Sequence, residues 1–387
     1  MKVALIDPSL FTAPYDLELM KGLREVGAEP RLYTKRLTRA DPIGPAPDIV
    51  EHFYRGLAPL PDLPAPLGRV LKGLSHTADM ARLAGALARW RPDIIHFQWV
   101  PLPAVDRLFL RRLRAIAPLV LTVHDSNPYY GAPGTTAQRF GARRILNEFD
   151  ALLVHTEHAR ARLEEHGIPP AKLARVAHGR LHERLELGER RHSAAAASGT
   201  IEFLMFGKLK PYKGLDVLIR AVAELSPALR ARCRVRVVGK PYMDVGPLLA
   251  LAAARGVSER FEFDFRFVED EEMPALFDRA DAIVFPYRDI DASGVLMTAL
   301  STGKPIVATR VGLFGELLVD GETALVTPSD DPAALALALG RLIEDEPLRQ
   351  RLAAAARECD RNIPSWAEIA RATRTVYERA GLASATG

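Results

Sequence analysis

Lysines are concentrated at one point of the sequence where they can bind phosphate. In FGKLKPYKGLDVLIRAV (206–222), Lys208, Lys210 and Lys213 follow an apolar run ending in glycine and precede a stretch with helical periodicity. Backbone amides at a strand-to-helix turn, together with ammonium groups, bind anions such as phosphate. The segment predicts either a phosphate site or an ordinary solvated loop with lysines at the start of a helix.

A second junction of this kind lies in PYRDIDASGVLMTALSTGKP (286–305), where Asp289 and Asp291 precede Ser293 and an apolar helix. The first amides of a helix have no partner inside it, and the helix dipole favours negative charge there. The amides concerned belong to Gly294, Val295 and Leu296. Ser293 is assigned to the same anion site or, alternatively, is a helix cap alone. Taken with the lysine segment, the junction predicts a diphosphate site.

The elements that must position these segments are short β-branched runs alternating with helical stretches, a pattern typical of parallel α/β sheets. The predicted strands are KVALID (2–7), DIIHFQW (93–99), PLVLTVHD (118–125), ALLVHTE (151–157), IEFLMFG (201–207), RVRVVG (234–239), RFEFDF (260–265), DAIVFPY (281–287), PIVAT (305–309) and TALVTP (323–328). Ligands of such sheets bind beyond the carboxyl ends of the strands, where both anion segments lie. Because single cores stop growing at roughly 250–300 residues, we expect 387 residues to form two domains.

Composition argues against several classes of protein. No apolar run approaches the ~20 residues of a membrane span, and MKVALIDPS is too short for a signal-peptide core. Two distant cysteines, Cys233 and Cys359, indicate neither a disulfide framework nor a zinc site. We therefore expect a cytoplasmic protein. Residues 1–190 hold 27 Lys and Arg against 21 Asp and Glu, but without a nucleic-acid motif this excess indicates solvated arginines and no nucleic-acid partner.

The order of motifs in the second half resembles the nucleotide-binding domain of GT-B glycosyltransferases, particularly the retaining family 4. The matching motifs, within 201–345, are FGKLKPYKGLDVLIRAV, RVRVVG, FVEDEEMPALFDRADAIVFPY and SGVLMTALSTGKPIVATRVGLFGELLVDGETALVTPSD. ALIDPS and TVHD resemble the first domain more loosely, and NIPSWAEIARATRTVYERAG resembles the crossing C-terminal helix. The resemblance implies an α/β protein with two Rossmann-like doubly wound parallel-sheet domains facing across a cleft. The first domain would comprise residues 1–185 together with helix 364–387. A linker at 186–200 would join it to the nucleotide-sugar domain at 201–363.

The resemblance also implies roles for particular residues. The donor diphosphate would bind Lys208 and Lys213, where the family has a basic residue and, five positions later, a lysine. His124 of TVHD corresponds to the active-site histidine beside the transferred sugar. In the turn after FEFDF, the backbone of Arg266, Phe267 and Val268 would bind the nucleotide base of the donor. The acceptor side would include Tyr15, Asp16 and Asp125.

The sequence departs from the family where the sugar should bind. Family 4 members usually carry two glutamates eight positions apart, for the sugar hydroxyls and the ribose, and here Ile290 and Thr298 occupy those positions. Asp289 and Asp291 flank the first position, and Thr298 offers a weaker ribose contact. FTAPYD (11–16) also replaces a glycine-rich loop. We assign sugar contacts to the two aspartates and His124, and catalytic roles to His124, Lys208, Lys213 and Asp291.

The resulting hypothesis is a retaining glycosyltransferase that uses a nucleoside diphosphate sugar, by resemblance a UDP-sugar, and a hydroxyl acceptor such as a glycan, a lipid or a natural-product glycoside. The two lysines and the helix start at Gly294 would stabilise the leaving diphosphate electrostatically, so we expect no metal and no cofactor. DID (289–291) matches a metal-binding DxD motif only by letter. In a double displacement Asp125 would be the nucleophile. The alternatives are a nucleotide-sugar epimerase and a non-catalytic nucleotide- or glycan-binding relative.

Basic helices in the first half raise the question of a membrane partner. DRLFLRRLRAIAP (106–117) places Arg107, Arg111 and Arg114 on one face among leucines. This pattern fits either peripheral contact with the inner face of the plasma membrane or an ordinary exposed helix face. His155 and His158 lack a third ligand in local spacing, so no metal site is predicted. For His178, donor contact and a structural role both stay open.

Overall fold

A computed structural model of the protein describes residues 1–38, 41, 43–56, 65–127, 141–181 and 199–385. The described chain divides into two compact units. The first contains the described residues up to Ser126, those from 141 to Gly179, and those from Pro364 onward, and the second runs from Arg180 to Ile363 and includes Asn127. The change of unit therefore falls a few residues before the expected position 185, and most of the expected linker lies outside the described residues.

The first unit is built on seven parallel strands. They are β1 (Lys2–Asp7), β2 (Glu29–Lys35), β3 (Ile49–Phe53), β4 (Ile94–Phe97), β5 (Leu119–Thr122), β6 (Ala151–Val154) and β7 (Leu173–Arg175). Their order, β3-β2-β1-β4-β5-β6-β7, reverses at β1 as in doubly wound sheets. The four strands that the sequence predicts in this half are β1, β4, β5 and β6, which are apolar runs buried on both faces.

Within the described residues before Gly179, five helices accompany this sheet: α1 (Ala13–Glu25), α2 (Ala65–Trp90), α3 (Pro103–Arg114), α4 (Ala142–Leu146) and α5 (Glu157–Glu165). Prolines within the first two positions help α1 and α3 to begin, since proline there loses no helical hydrogen bond. Thr156 caps α5, since its side chain accepts a hydrogen bond from the Ala159 amide. The core between sheet and helices contains Leu83 and Leu87 of α2 and Leu113 of α3.

The second unit contains six parallel strands, all of which the sequence predicts. They are β8 (Ile201–Phe206), β9 (Cys233–Val238), β10 (Phe261–Asp264), β11 (Ala282–Phe285), β12 (Ile306–Thr309) and β13 (Leu325–Thr327). The order β10-β9-β8-β11-β12-β13 reverses at β8. The carboxyl ends of the two neighbouring central strands β8 and β11 therefore lie side by side, which is where doubly wound sheets bind ligands.

In the part of this unit that the structure describes, eight helices cover the two faces of the sheet. They are α6 (Leu215–Glu224), α7 (Pro227–Ala231), α8 (Gly246–Ala254), α9 (Met273–Arg279), α10 (Gly294–Thr302), α11 (Gly312–Leu317), α12 (Pro332–Glu344) and α13 (Glu346–Arg361). Ser293, Asp331 and Asp345 cap α10, α12 and α13, because each side chain accepts a hydrogen bond from an amide in the first helical turn. One core packs α6 and α12 on the sheet, and a second core packs α9 and α10.

The last helix, α14 (Trp366–Ala385), belongs to the first unit although it follows the second in sequence. It begins with a reciprocal cap in which the Ser365 amide donates to the Glu368 carboxylate and the Glu368 amide donates to the Ser365 hydroxyl. The helix packs against α1 at Gly22, where a Cβ atom would lie 2.3 Å from the Trp366 carbonyl oxygen. Across the described part of the chain, helices long and apolar enough to cross a membrane do not occur.

Candidate active site

Lys213 lies beyond the carboxyl end of β8, in a short 3-10 turn (Pro211–Lys213) that leads into α6. Its side chain is only 6% exposed. Nζ lies 3.4 Å from the carbonyl oxygen of Phe206 and 5.0 Å from the centre of the Tyr287 ring. Burial, together with the neighbouring charges of Lys210 and Lys208, lowers the pKa of Lys213 to about 7. A desolvated ammonium group of this kind is stabilised strongly by an anionic ligand that supplies the opposite charge.

The other two lysines add positive charge to the same turn. Lys208 is exposed, and its pKa is lowered by partial desolvation and by Lys210. The Nζ atom of Lys210 lies 5.6 Å from the centre of the Tyr212 ring. The three ammonium groups therefore repel one another without a ligand, and an anion relieves that repulsion.

The lysine turn is held against the loop that follows β11. Gly214 has φ of +69°, and a Cβ atom there would lie 1.9 Å from the carbonyl oxygen of Pro286. The Arg288 amide donates to the carbonyl of Tyr212 at 2.7 Å. The Arg288 guanidinium donates to both carboxylate oxygens of Asp216, at 2.8 and 2.7 Å. Sequence reasoning missed this pair because an ion pair between residues 72 positions apart has no local signal.

The first turn of α10 meets the lysine turn at Gly207. A Cβ atom placed on Gly207 would lie 2.9 Å from Lys213 Nζ and 3.2 Å from Val295 Cγ2. The Leu296 amide donates to the Ser293 hydroxyl at 3.2 Å, so the structure assigns it to the cap instead of the predicted diphosphate contact. The amides of Gly294 and Val295 remain as the candidate anion donors beside the lysine.

The two aspartates of the preceding loop differ in exposure. Asp289 is half-buried, whereas Asp291 is only 5% exposed and its backbone carbonyl accepts a hydrogen bond from the Leu313 amide. Thr298 is buried on α10, and its hydroxyl donates to the carbonyl of Gly294 at 3.2 Å. A ribose contact by Thr298 would thus use only the oxygen lone pairs.

The predicted base-binding turn follows β10. Arg266 is exposed and forms ion pairs with Asp264 and Glu272, at 3.0 and 2.8 Å. Phe267 is 57% exposed, and Val268 packs in the core beside α9. The turn therefore offers a nucleotide base its backbone groups and the ring of Phe267. The Arg266 guanidinium is already paired with two carboxylates.

In the first unit, histidines gather near the carboxyl ends of neighbouring strands: His96 lies within β4, and His124 and His155 follow β5 and β6. His124 Nε2 lies 3.1 Å from Gln98 Oε1, and the Gln98 amide nitrogen lies 3.4 Å from both ring nitrogens of His96. His96 Nδ1 is 2.7 Å from the Tyr377 hydroxyl, and its Nε2 is 2.7 Å from the Thr122 hydroxyl. Burial and the neighbouring histidines hold the pKa of His124 well below its usual value, so the ring is neutral.

Tyr15 forms the centre of this histidine cluster. Its ring centre lies 4.7 Å from that of His124, 5.3 Å from that of His155 and 5.6 Å from that of His178. Tyr15 is buried, and its hydroxyl is engaged with Thr122. Burial lowers the pKa of His155 to about 3 and that of His178 to about 4. Tyr15 therefore supports His124 by packing against its ring, and only a small part of Tyr15 itself is accessible to an acceptor.

Asp16, a predicted residue of the acceptor side, lies in the interior of the first unit. Both Asp16 and Asp7 are fully buried, and the Thr12 hydroxyl is within 3.3 Å of both carboxyl groups. Burial raises the pKa of both carboxyl groups, most strongly that of Asp16. The shared Thr12 hydroxyl thus links the end of β1 to the first turn of α1. Asp125 is half-buried next to His124, and its contact with an acceptor stays a prediction.

The remaining sequence candidates are engaged locally. The exposed His158 accepts a hydrogen bond from Arg162 at 2.9 Å. On α3, Arg107 pairs with Glu148 at 2.7 Å and Arg114 pairs with Asp150 at 3.2 Å. Among the residues that the structure describes, no group of three or more His, Cys, Asp or Glu side chains is arranged to hold a metal ion.

Two doubly wound parallel sheets are the architecture of the GT-B fold of glycosyltransferases, and here one sheet carries the lysine turn and the other the histidine cluster. Solved structures of this fold are similar over nearly the whole chain. HepE from Anabaena, in complex with UDP and glucose, gives a TM-score of 0.73 at 18% identity, with 98% of this chain and 100% of that chain covered. Sucrose-phosphate synthase from Thermosynechococcus elongatus gives 0.73 at 19% identity, with 99% and 100% covered.

Sequence comparison identifies the family. The model of glycosyl transferases group 1 matches residues 189–359, and that of the glycosyl transferase 4-like domain matches residues 12–179. A D-inositol 3-phosphate glycosyltransferase of Streptomyces bingchenggensis is 31% identical over 95% of this chain and 84% of its own length. Its counterpart from Corynebacterium efficiens is 33% identical over 70% of this chain and 68% of its own length. The chain belongs to the glycosyltransferase group 1 family and is a transferase enzyme.

Proposed function

We propose that this enzyme transfers a sugar from a nucleoside diphosphate donor to a hydroxyl acceptor with retention of anomeric configuration. The observation that carries the proposal is the buried Lys213 ammonium group beside the first turn of α10. A buried cation next to free helix amides is costly in the empty site and is stabilised by a diphosphate. UDP is the donor nucleotide to test first, because the similar HepE structure contains it.

The chemistry proposed for the site is electrostatic. As the bond between the sugar C1 and the diphosphate breaks, its electron pair passes to the phosphate oxygen, and Lys208, Lys213 and the Gly294 amide stabilise the growing negative charge. The acceptor oxygen bonds to C1 on the same face and gives its proton to the departing phosphate. These groups supply the positive charge that a metal ion would otherwise provide, so we propose that transfer needs no metal.

The sugar and the acceptor would be held by residues on the strand ends. Asp289 and Asp291 supply carboxylates for sugar hydroxyls, with Asp289 the more exposed of the two. His124 is proposed to contact the sugar, and Asp125 the acceptor. Because the sequence relatives are D-inositol 3-phosphate glycosyltransferases, an inositol phosphate is the first acceptor to assay, followed by glycans, lipids and natural-product glycosides.

The experiment that tests the proposal measures UDP release from UDP-sugars with and without acceptor. We expect acceptor-dependent release that falls by about 10²–10³ in Lys213→Met, in line with the loss of one transition-state charge contact. Lys240→Met, which removes an exposed lysine of the same unit, serves as the matched control and should retain activity. Added EDTA should leave the rate unchanged.

Other outcomes would favour other functions. Tight nucleotide binding without turnover across donors and acceptors would indicate a non-catalytic binding protein. Conversion of the sugar nucleotide without acceptor would indicate an epimerase. An acceptor product with inverted anomeric configuration would contradict retention.

Peripheral contact with a membrane stays a prediction. The ion pairs of Arg107 and Arg114 leave Arg111 and Arg112 as the exposed basic residues of α3 to examine. Co-sedimentation with anionic vesicles, compared between the wild type and Arg111→Glu/Arg112→Glu, would test it.

A further inference from the structure

Gln98 is a fully buried amide between two histidines of the first unit. It follows β4, and His124 follows the neighbouring strand β5. The amide oxygen faces His124 Nε2 at 3.1 Å, and the amide nitrogen faces His96. Both ends of one neutral side chain are therefore occupied by imidazole rings.

The contact with His96 decides which end of the amide faces His124. The amide nitrogen is 3.4 Å from both His96 ring nitrogens, and in the ring plane that position would collide with the carbon between them. The amide therefore lies over the ring face, while the hydroxyls of Tyr377 and Thr122 lie 2.7 Å from the ring nitrogens. The face of an aromatic ring is electron-rich and attracts N–H groups, so the NH2 end belongs at His96 and the carbonyl at His124.

A carbonyl oxygen only accepts hydrogen bonds, so His124 must donate to it from Nε2–H. In a neutral imidazole the other nitrogen, Nδ1, is then unprotonated. We propose that Gln98 is a positioning residue that holds His124 as the Nε2–H tautomer, so that His124 Nδ1 accepts a hydrogen bond from a hydroxyl of the bound substrate. This inference rests on the proposed transfer reaction only for the identity of that hydroxyl.

The choice of an amide over a carboxylate at this position has a chemical consequence. A glutamate in place of Gln98 would stabilise the protonated imidazolium, in which both nitrogens are donors. His124 would then present N–H to a substrate hydroxyl where the wild type presents a lone pair. A neutral partner therefore keeps His124 in its accepting form across the physiological pH range.

The first test reads the tautomer directly in the protein without substrate. Nitrogen-15 NMR of the histidine side chains, with the His124 signals identified by their loss in His124→Gln, should show a protonated Nε2 whose proton exchanges slowly and an unprotonated Nδ1. Gln98→Met, which keeps the volume and removes the hydrogen bond, should abolish the slow exchange. Protonation of His124 at Nδ1 in the wild type would overturn the inference, whether or not the protein turns over a donor.

The second test uses the pH profile, which a merely structural role would not move. In Gln98→Glu the acidic limb of kcat/KM should shift upward by about 1–3 pH units, because a carboxylate raises the pKa of an adjacent histidine by that order. Gln98→Met should lower kcat/KM without shifting the limb. An unshifted limb in Gln98→Glu, in a variant whose melting temperature is close to wild type, would contradict the role of Gln98. If Gln98→Glu does not fold, the NMR comparison decides.

Discussion

At the scale of single residues, Lys213 is a buried lysine whose surroundings disfavour its charged form. Its ammonium group is buried, faces a backbone carbonyl and an aromatic ring, and has two lysines nearby. The last two features have opposite effects, since the ring attracts a cation and the lysines repel it. Burial is the largest cause of the lowered pKa of Lys213, and the two lysines lower it further. The charged form of Lys213 is therefore unstable in the free protein, and a bound diphosphate would stabilise it.

Because the pKa of Lys213 is lowered, we predict that Lys213 takes up a proton when a nucleoside diphosphate binds. With a free pKa of about 7, Lys213 is mostly neutral at pH 8.5, and binding of an anion must reprotonate it. The affinity for UDP should therefore fall as pH rises above about 7, approaching tenfold per pH unit. Titration calorimetry at pH 8.5 in buffers of different ionisation enthalpy should report close to one proton taken up, and Lys213→Met should report none. A heat that is independent of the buffer would contradict the prediction.

At the scale of elements, the docking of α14 on α1 depends on one glycine. A side chain at Gly22 has no room, because the carbonyl of Trp366 at the start of α14 occupies the place of its Cβ atom. Arg374 of the same helix donates to the carbonyl of Val26 at the end of α1. The sequence motif that resembles the crossing helix predicts α14, but it does not reveal that its partner is α1.

Gly22→Ala should destabilise the first unit by about 1–3 kcal/mol, the usual cost of forcing extra atoms into a packed contact. Gly85→Ala in α2 is the matched control, since a Cβ atom there meets only the flexible end of Arg89 at 3.7 Å. That control should be neutral or slightly stabilising, because alanine favours helix more than glycine does. Chemical denaturation of both variants measures the difference, and equal effects at the two glycines would contradict the role of Gly22.

At the scale of the whole molecule, the two units differ in how they respond to acid. All ten histidines of the chain occur at or before His192, and the neutral cluster of His96, His124, His155 and His178 lies in the first unit. Burial lowers the pKa of each of these four. Below pH 6.5 the unfolded chain takes up protons that the folded unit excludes, so acid stabilises the unfolded state of the first unit.

The free energy of unfolding of the first unit should fall as pH decreases from about 6.5 towards 4, by up to about 1.4 kcal/mol per pH unit for each histidine. The raised pKa values of Asp7 and Asp16 act in the opposite sense, but two carboxyl groups do not outweigh four imidazoles. Trp90, Trp99 and Trp366 all lie in the first unit, so tryptophan fluorescence follows it alone, whereas circular dichroism follows both units.

Guanidinium denaturation at pH 7 and pH 5 checks this expectation. The fluorescence midpoint should drop more than that of any second transition seen by circular dichroism. His155→Gln should reduce the drop, and His158→Gln, at an exposed position, should not. A fluorescence midpoint that is the same at both pH values would show that the histidines are not held neutral.

The sequence alone determined the fold class, the six strands of the second sheet and the lysine turn, because buried strands and helix starts leave local patterns of apolar and polar residues. The prediction missed β2, β3 and β7. β2 mixes polar with apolar residues, and its buried positions become clear only once it pairs with β1. Only the tertiary structure decided that Asp16 is interior and that Gln98 joins two histidines. Each of these depends on which distant groups meet, and such contacts are set by the packing of strands and helices.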